Sequence, residues 1–215
     1  MVQELRYEQE LRQGGDQMFR EASAYLAGSS GGRLHITLRR LVQRLDAEEI
    51  PYALLGGMAL AEHGYPRMTE GIDLLLTCAG CERFRRRLVG LAYRPAFEGA
   101  EQSFRDTETG VRIEIVTSGE YPGDGLVKAV AFPDPAASEV AVEIEGIRVV
   151  RLEKLIELKL ASGMTAAHRL RDLAASLVQD LIVRRGLDLD LAGCLDPSVR
   201  EAYQDLWKKA HEGEE

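Results

Sequence analysis

The sequence predicts an α+β (mixed α/β) fold, in which a small mixed β-sheet is flanked by helices and followed by a helical C-terminal third. Three observations support this fold class. Apolar residues recur at helical spacing over residues 34–45, which predicts an amphipathic helix. Short apolar or alternating runs predict strands at 52–55, 72–76 and 111–116. The chain after Leu152 has helical character throughout.

The elements of the N-terminal half follow from local signals. The first helix ends before Pro51, because proline lacks the amide hydrogen that a helix interior needs. The strand at 52–55 ends in Gly56-Gly57, and a short helix is predicted over 58–63. A further helix is predicted over 81–90, where apolar residues fall on one face.

The C-terminal part begins with a predicted hairpin over 140–150. Two helices follow, over 152–162 and 167–184. A third helix begins at Asp196, whose side chain suits an N-cap, with Pro197 in the first turn.

Length and composition fit one domain of ordinary size. The chain has 215 residues, of which 45% are hydrophobic, so it can bury a substantial core. We divide it into an N-terminal helical or flexible segment (1–32), a core that contains the sheet (33–151) and a helical C-terminal region (152–215). The last region is expected to complete the same domain.

Composition also excludes several classes of protein. No stretch approaches the roughly 18 unbroken apolar residues of a membrane helix, and the N-terminal residues do not resemble a secretory signal. We therefore expect a cytoplasmic protein without membrane association. The net charge of −8 disfavours bulk electrostatic binding of nucleic acid. The basic run Arg83, Arg85, Arg86 and Arg87 surrounds most of a helix, which favours a solvated face.

Three cysteines, Cys78, Cys81 and Cys194, cannot form an even disulfide framework. Cys78 and Cys81 have the spacing of half a zinc site or of a redox motif. No second pair of Cys or His lies at ligand spacing, so reduced thiols near the start of a helix are the preferred interpretation.

The turn at Gly56-Gly57 joins a strand to a helix. Such a turn brings backbone amides to a helix N-terminus, where they favour phosphate oxygens. A tight turn that needs glycine for a positive φ would give the same sequence, and this feature alone favours the simple turn.

Two carboxylates lie inside apolar strands. Asp73 and Glu114 are both flanked by apolar neighbours, where a carboxylate is costly unless it is paired or bound to a cation. Two acids near a glycine turn suit a site for a divalent metal and phosphate. Ion pairs with Arg67 or Arg112 would explain the two acids equally well.

The order of these features resembles the signature of nucleotidyltransferases of the DNA-polymerase-β-like superfamily. In that family a Gly-Gly or Gly-Ser turn precedes a helix, and Arg-x-Thr then leads into an Asp-x-Asp strand. The segments Gly56-Gly57, Arg67-Met68-Thr69 and Ile72-Asp73-Leu74 match in order and spacing. Glu114 falls where the family has its third carboxylate.

The C-terminal helices extend the resemblance, which covers about residues 50–185. The segment 155–162, which contains Lys159, looks like the lysine helix of the family. The segment 168–173, which contains Asp172, looks like its Arg-x-Lys/Arg-Asp-Leu helix. Bacterial nucleotidyltransferase-like proteins related to abortive-infection toxins share these features, which leaves a toxin–antitoxin type of protein partner open.

The resemblance implies metal-dependent transfer of a nucleotide from a nucleoside triphosphate (NTP) to a hydroxyl group of a small molecule, protein or RNA. The catalytic residues implied are Asp73, Glu114 and Lys159, and Mg²⁺ or Mn²⁺ would bind to Asp73 and Glu114. The nucleotide-binding residues implied are Gly56, Gly57, Arg67, Thr69, Lys159 and Asp172. From the residues alone, Lys159 could instead be a packed lysine with a solvated head, and Asp172 an ion-pair partner of a neighbouring arginine.

The sequence departs from the family pattern at Gly71, where the first Asp of Asp-x-Asp is expected. That Asp normally contributes to two ions about 3.5–4 Å apart, so Asp73 and Glu114 alone predict weakened catalysis. Glu70 cannot replace it, because a one-residue shift along a strand points to the opposite face. An aspartate at position 71 would restore the family spacing beside Asp73. The alternative function is a catalytically inactive member that binds a nucleotide or a partner.

Overall fold

The computed structural model describes residues 32–165 and 168–212. The predicted N-terminal segment lies outside the described residues, except for Gly32. None of the described helices combines the length and the apolar character that crossing a bilayer requires.

The described part of the chain contains six α-helices, one 3₁₀ helix and seven strands. In chain order they are α1 (Arg33–Ala47), β1 (Tyr52–Leu55), α2 (Gly56–Glu62), β2 (Gly71–Leu76), α3 (Cys78–Leu88), β3 (Tyr93–Pro95), β4 (Ser103–Asp106), β5 (Arg112–Thr117), β6 (Ala141–Ile144), β7 (Ile147–Val150), α4 (Leu152–Met164), α5 (His168–Arg185), the 3₁₀ helix (Leu189–Cys194) and α6 (Pro197–His211).

All seven strands form one mixed sheet in the order β3-β4-β5-β2-β1-β7-β6. The pairs β2–β5 and β1–β7 are parallel, whereas the other neighbouring strands are antiparallel. This confirms the predicted mixed sheet with flanking helices and a helical C-terminal third. The sheet is larger than predicted, because β3 and β4 are short and carry mostly polar or aromatic residues without a clear period.

Local capping explains where the helices begin. Helix α3 begins at Cys78, earlier than predicted, because the hydroxyl of Thr77 accepts a hydrogen bond from the Gly80 amide at 2.9 Å. Helix α2 includes Gly56 and Gly57, so both glycines belong to its first turn. Asp196 caps α6 as predicted, and it accepts a hydrogen bond from the Ser198 amide.

One cluster of buried apolar side chains extends from Leu34 in α1 to Leu206 in α6. Helix α1 contributes its predicted apolar face, and Leu38, Leu41 and Leu45 are fully buried. The C-terminal helices join the same cluster through residues such as Ile156 and Val178. The helical C-terminal region therefore shares its core with the sheet.

The basic run on α3 makes exposed ion pairs. Arg85 lies 3.3 Å from Glu101, and Arg87 lies 2.9 Å from Glu48. Exposed pairs of this kind contribute little to stability, commonly about 0–1 kcal/mol. The run is thus a solvated helix face with local partners.

Candidate functional site

A cavity of about 580 Å³ lies between the β1–α2 turn, strand β2 and helices α4 and α5. Its volume falls in the range of small-molecule pockets, roughly 300–1,000 Å³. Most of its wall is apolar. The polar side chains and glycines that line it are Gly56, Gly57, Arg67, Thr69, Asp73, Gly123, Lys159 and Ser162.

The glycine turn packs directly against the predicted site residues. Gly56 has a φ of +64°, and a Cβ atom there would lie 1.9 Å from Oδ2 of Asp73. A Cβ atom at Gly57 would lie 2.8 Å from Cβ of Thr69. Glycine is therefore required at position 56 both by the backbone conformation and by the close approach of a carboxylate.

Strands β2 and β5 bring the two predicted carboxylates together. Their parallel register pairs Asp73 with Glu114 and Gly71 with Arg112. Paired residues of adjacent strands share one face of the sheet. Asp73 also pairs with Leu55 on the other side, next to the glycine turn.

Glu114 already has protein partners. Its Oε1 atom accepts a hydrogen bond from Ser103 Oγ at 2.8 Å and lies 3.2 Å from Nε of Arg112. The interpretation of Glu114 as one half of an ion pair is therefore correct in part. About a third of its side chain remains exposed, and Glu114 is not among the residues that line the cavity.

Asp73 differs, because no described residue donates a hydrogen bond to its carboxylate or forms an ion pair with it. Burial raises the pKa of Asp73 above its ordinary value. The charge of Glu114 also raises this pKa, whereas the charges of Arg112 and Arg67 lower it. Asp73 is thus a half-buried carboxylate that faces a cavity without a protein partner.

The buried carboxylates among residues 32–165 and 168–212 each have protein partners. Asp106 is 1% exposed and lies 3.1 Å from Arg40. Glu157 is 4% exposed, lies 2.7 Å from Lys154 and accepts a hydrogen bond from the Asp196 amide. These two acids stabilise the fold, which distinguishes them from Asp73.

Lys159 and Arg67 place two positive charges at the same cavity. Lys159 is half-buried on α4, and its Nζ atom makes no hydrogen bond or ion pair with the described residues. Burial lowers the pKa of Lys159, and the nearby charge of Arg67 lowers it further. Two like charges that face one cavity favour an anionic ligand.

Asp172 is not brought to this cavity. It is exposed on α5, and it is absent from the cavity lining, to which α5 contributes Leu173, Leu177 and Leu181 instead. These three leucines recur every four residues, a helical spacing that is visible in the sequence. The role of Asp172 in nucleotide binding stays a prediction.

The loop between β5 and β6 contributes Pro122, Gly123 and Phe132 to the cavity. Lys128 holds this loop in place, since its Nζ donates to the Pro122 carbonyl at 2.6 Å and to Asp124 at 2.8 Å. Hydrogen bonds from Lys128 and then Thr165 lower the pKa of Asp124 to about 2. The loop is thereby tied to the end of α4.

Gly71 is buried, and its Cα hydrogens face the neighbouring strand. A Cβ atom at this position would lie 2.9 Å from the carbonyl oxygen of Arg112. The oxygen belongs to the backbone of β5 and cannot move aside without separating the strands. An aspartate at position 71 therefore does not simply restore the family spacing, contrary to the sequence-based expectation.

The carboxylates of Asp73 and Glu114 are the side chains that could hold a divalent cation here. Asp73 offers an open carboxylate and Glu114 one oxygen, and oxygen ligands of this type suit Mg²⁺. The described residues contain no group of three or more His, Cys, Asp or Glu side chains that could hold an ion. A cation at this point would need ligand oxygens to complete its coordination, and the side chains for a second ion are lacking.

No protein-family model and no curated protein sequence matches the chain. Solved structures are similar at low identity. A protein from Thermotoga maritima assigned as a nucleotidyltransferase is 21% identical, with 69% of this chain and 91% of that chain covered and a TM-score of 0.43. One from H. pylori with the same assignment is 18% identical, with coverages of 81% and 78% and a TM-score of 0.42.

The antibiotic-resistance factor ANT(2″)-Ia is also similar, at 16% identity, with 82% of this chain and 97% of that chain covered and a TM-score of 0.46. A second structure of this factor contains adenylyl-2″-tobramycin and gives 14% identity and a TM-score of 0.45, with coverages of 82% and 98%. These values describe distant likeness, so the site is interpreted from its own residues.

Replacement of Gly71 tests the packing of β2 against β5. Gly71→Ala should lower the free energy of unfolding by about 1–3 kcal/mol, the usual cost of overpacking, and Gly71→Asp should lose at least as much. The measurement is denaturant unfolding. Gly193→Ala is a matched control, because a Cβ atom at Gly193 meets nothing within 4 Å. Equal stability of Gly71→Ala and the parent would contradict the close approach.

The raised pKa of Asp73 predicts that this carboxylate costs stability. Asp73→Asn should raise the free energy of unfolding at neutral pH by about 0.5–2 kcal/mol, the range of typical stabilising substitutions. The folded state binds the proton more tightly than the unfolded state, so the cost is complete above the folded pKa and vanishes below the unfolded pKa. The gain should therefore shrink as the pH falls.

Unfolding of both proteins across a pH series provides the test. Asp205→Asn changes an exposed carboxylate on α6 and serves as the control, with a difference close to zero throughout. A loss of stability in Asp73→Asn at neutral pH would mean that this carboxylate has a stabilising partner after all.

Proposed function

We propose that this protein is nucleotidyltransferase-like and binds a nucleoside triphosphate in the cavity, with slow transfer of the nucleotide to a hydroxyl acceptor. The observation that carries the proposal is the position of Asp73. Its unpartnered carboxylate lies against Gly56 and faces the cavity that Lys159 also lines. A carboxylate kept open at a cost in stability suits a cation-assisted phosphate site.

The polar part of the cavity would hold the phosphates. Lys159 and Arg67 would contact phosphate oxygens through charge-assisted hydrogen bonds. Thr69 lines the same cavity and donates its hydroxyl to the Gly71 carbonyl at 3.1 Å, which holds the segment before β2. The amides of Gly56 and Gly57 would be available to the same oxygens.

The apolar part of the cavity would accept the base of the nucleotide. Leu173, Leu177 and Leu181 form one side of this wall on α5, and Leu155 and Leu158 on α4 complete it. An apolar wall beside a charged end matches the two halves of a nucleotide. The residues do not single out a particular base.

Asp73 and Glu114 would hold Mg²⁺ or Mn²⁺ together with phosphate oxygens. When bound, the ion would neutralise negative charge on the triphosphate. The contacts with Ser103 and Arg112 would hold the Glu114 carboxylate in a fixed orientation. Transfer would be slow because Gly71 supplies no carboxylate for the ion that normally activates the attacking hydroxyl.

A second candidate is a protein that binds the nucleotide, or a partner, without catalysis. The packing of Gly71 against the Arg112 carbonyl favours it, since a side chain at position 71 would have to displace the backbone of β5. A toxin–antitoxin type of partner and a cytoplasmic location belong to the same proposal. The two candidates share the binding step and differ only in transfer.

Binding is tested through Lys159. Lys159→Ala should weaken NTP binding by about 1–3 kcal/mol, the range for losing a charged hydrogen bond. Calorimetric titration with NTPs and Mg²⁺ measures the change, and Lys209→Ala on the exposed face of α6 is the control. The same affinity in Lys159→Ala and the parent would mean that Lys159 packs against its neighbours and does not contact the nucleotide.

Transfer is tested by incubation with labelled NTPs, Mg²⁺ or Mn²⁺, and a cell extract. We expect slow, metal-dependent labelling of an acceptor that is lost in Asp73→Asn. Because that variant should be more stable than the parent, unfolding cannot explain the loss. Binding without labelling would establish the non-catalytic candidate, whereas the absence of both would refute the proposed function.

A further inference from the structure

Cys78 and Cys81 occupy the first turn of α3 with contrasting exposure. Cys78 is the first residue of the helix and is exposed, whereas Cys81 is 5% exposed. The Sγ atom of Cys81 lies 4.0 Å from the Glu101 carbonyl oxygen. The spacing alone favours ordinary thiols, but the structure adds one accessible and one shielded thiol within a single turn.

The two thiols lie three residues apart on the same helix. Residues three apart on a helix are neighbours, with Cβ atoms about 5–6 Å apart. A disulfide requires Cα atoms about 4.4–6.8 Å apart and somewhat closer Cβ atoms. The turn between Cys78 and Cys81 must therefore tighten to join them.

The first turn of α3 can make this adjustment. Thr77 accepts the Gly80 amide through its hydroxyl and the Cys81 amide through its carbonyl, both at 2.9 Å. The residues between the cysteines are Ala79 and Gly80, which have no long side chains to displace. Helix ends also rearrange at lower cost than helix interiors.

Metal binding does not explain the pair within the described residues, where no third His, Cys, Asp or Glu completes a metal site. Cys194 is exposed and belongs to the 3₁₀ helix, outside this turn. Burial raises the pKa of Cys81, which keeps its thiol protonated. Cys78 is therefore the thiol that reacts first with an oxidant.

We propose that Cys78 and Cys81 form a reversible disulfide in the presence of a low-molecular-weight disulfide. Cys78 would lose its proton to solvent and attack one sulfur of the oxidant, which releases one small thiol and leaves a mixed disulfide. Cys81 would then lose its proton and attack Sγ of Cys78, which releases the second small thiol. The protein dithiol loses two electrons, and the small disulfide gains them.

Glutathione redox buffers provide the test on the full chain. After equilibration, free thiols are alkylated and the protein is digested with trypsin. The peptide of residues 68–83 contains Cys78 and Cys81, whereas the peptide of residues 186–200 contains only Cys194. As oxidised glutathione predominates, most of peptide 68–83 should carry no alkyl group and have two hydrogen atoms fewer than its free dithiol form, and a dithiol should reverse this change.

Peptide 186–200 is the internal control and should carry only an alkyl group or one glutathione. Two variants, neither of which can form the internal disulfide, separate the reaction of Cys78 with glutathione disulfide from the later attack by Cys81. Cys81→Ser should accumulate a mixed disulfide at Cys78, whereas Cys78→Ser should leave Cys81 unmodified in the folded protein. Double alkylation, or glutathione on Cys78 of the parent without the internal bond at every buffer ratio, would overturn the proposal.

Discussion

The parallel pairing of β2 with β5 is the constraint on which the rest of the site depends. It sets Asp73 beside Glu114 and Gly71 beside Arg112 in one register. A shift by one residue would turn Asp73 to the other face of the sheet and remove it from the cavity. The same pairing brings the Arg112 carbonyl close to Gly71, so a Cβ atom at the position that lacks a carboxylate would crowd the neighbouring strand.

The charged side chains at the cavity lower the stability of the fold. Burial disfavours the charged forms of both Asp73 and Lys159, and neither side chain forms a hydrogen bond or ion pair with the described residues. Asp106 and Glu157 are more deeply buried, yet each has close partners. Sites that bind charged ligands commonly keep such groups unsatisfied until the ligand arrives. The contrast singles out this cavity without reference to any relative.

Much of the fold could be predicted from local patterns. The apolar period of α1, the strand at Ile72–Leu76 and the Asp196 cap are each encoded by neighbouring residues, and the structure confirms them. The short strands β3 and β4 carry too few residues to show a period, and they form because β5 offers an edge for pairing. Without such a period, neither strand can be recognised from its own residues.

The site likewise contains some residues that local sequence predicts and others that only the strand register reveals. Asp73 and the glycine turn were visible because a carboxylate in an apolar strand and a double glycine are unusual locally. The engagement of Glu114 by Ser103 depends on the register of β4 with β5, and the packing of Gly71 depends on the register of β2 with β5. Both therefore needed the structure, as did the wall that α5 contributes.

The position of β1 has a consequence for how the chain assembles. Strand β1 lies inside the sheet. Its neighbour β7, which pairs Val149 with Leu54, is the last described strand in chain order. During synthesis the first five strands can associate while residues up to 150 are still being added. One edge of β1, with the apolar sequence Tyr52–Leu55, stays open in that interval. A ribosome-bound chain thus exposes a strand edge that invites aggregation or chaperone binding until β7 emerges.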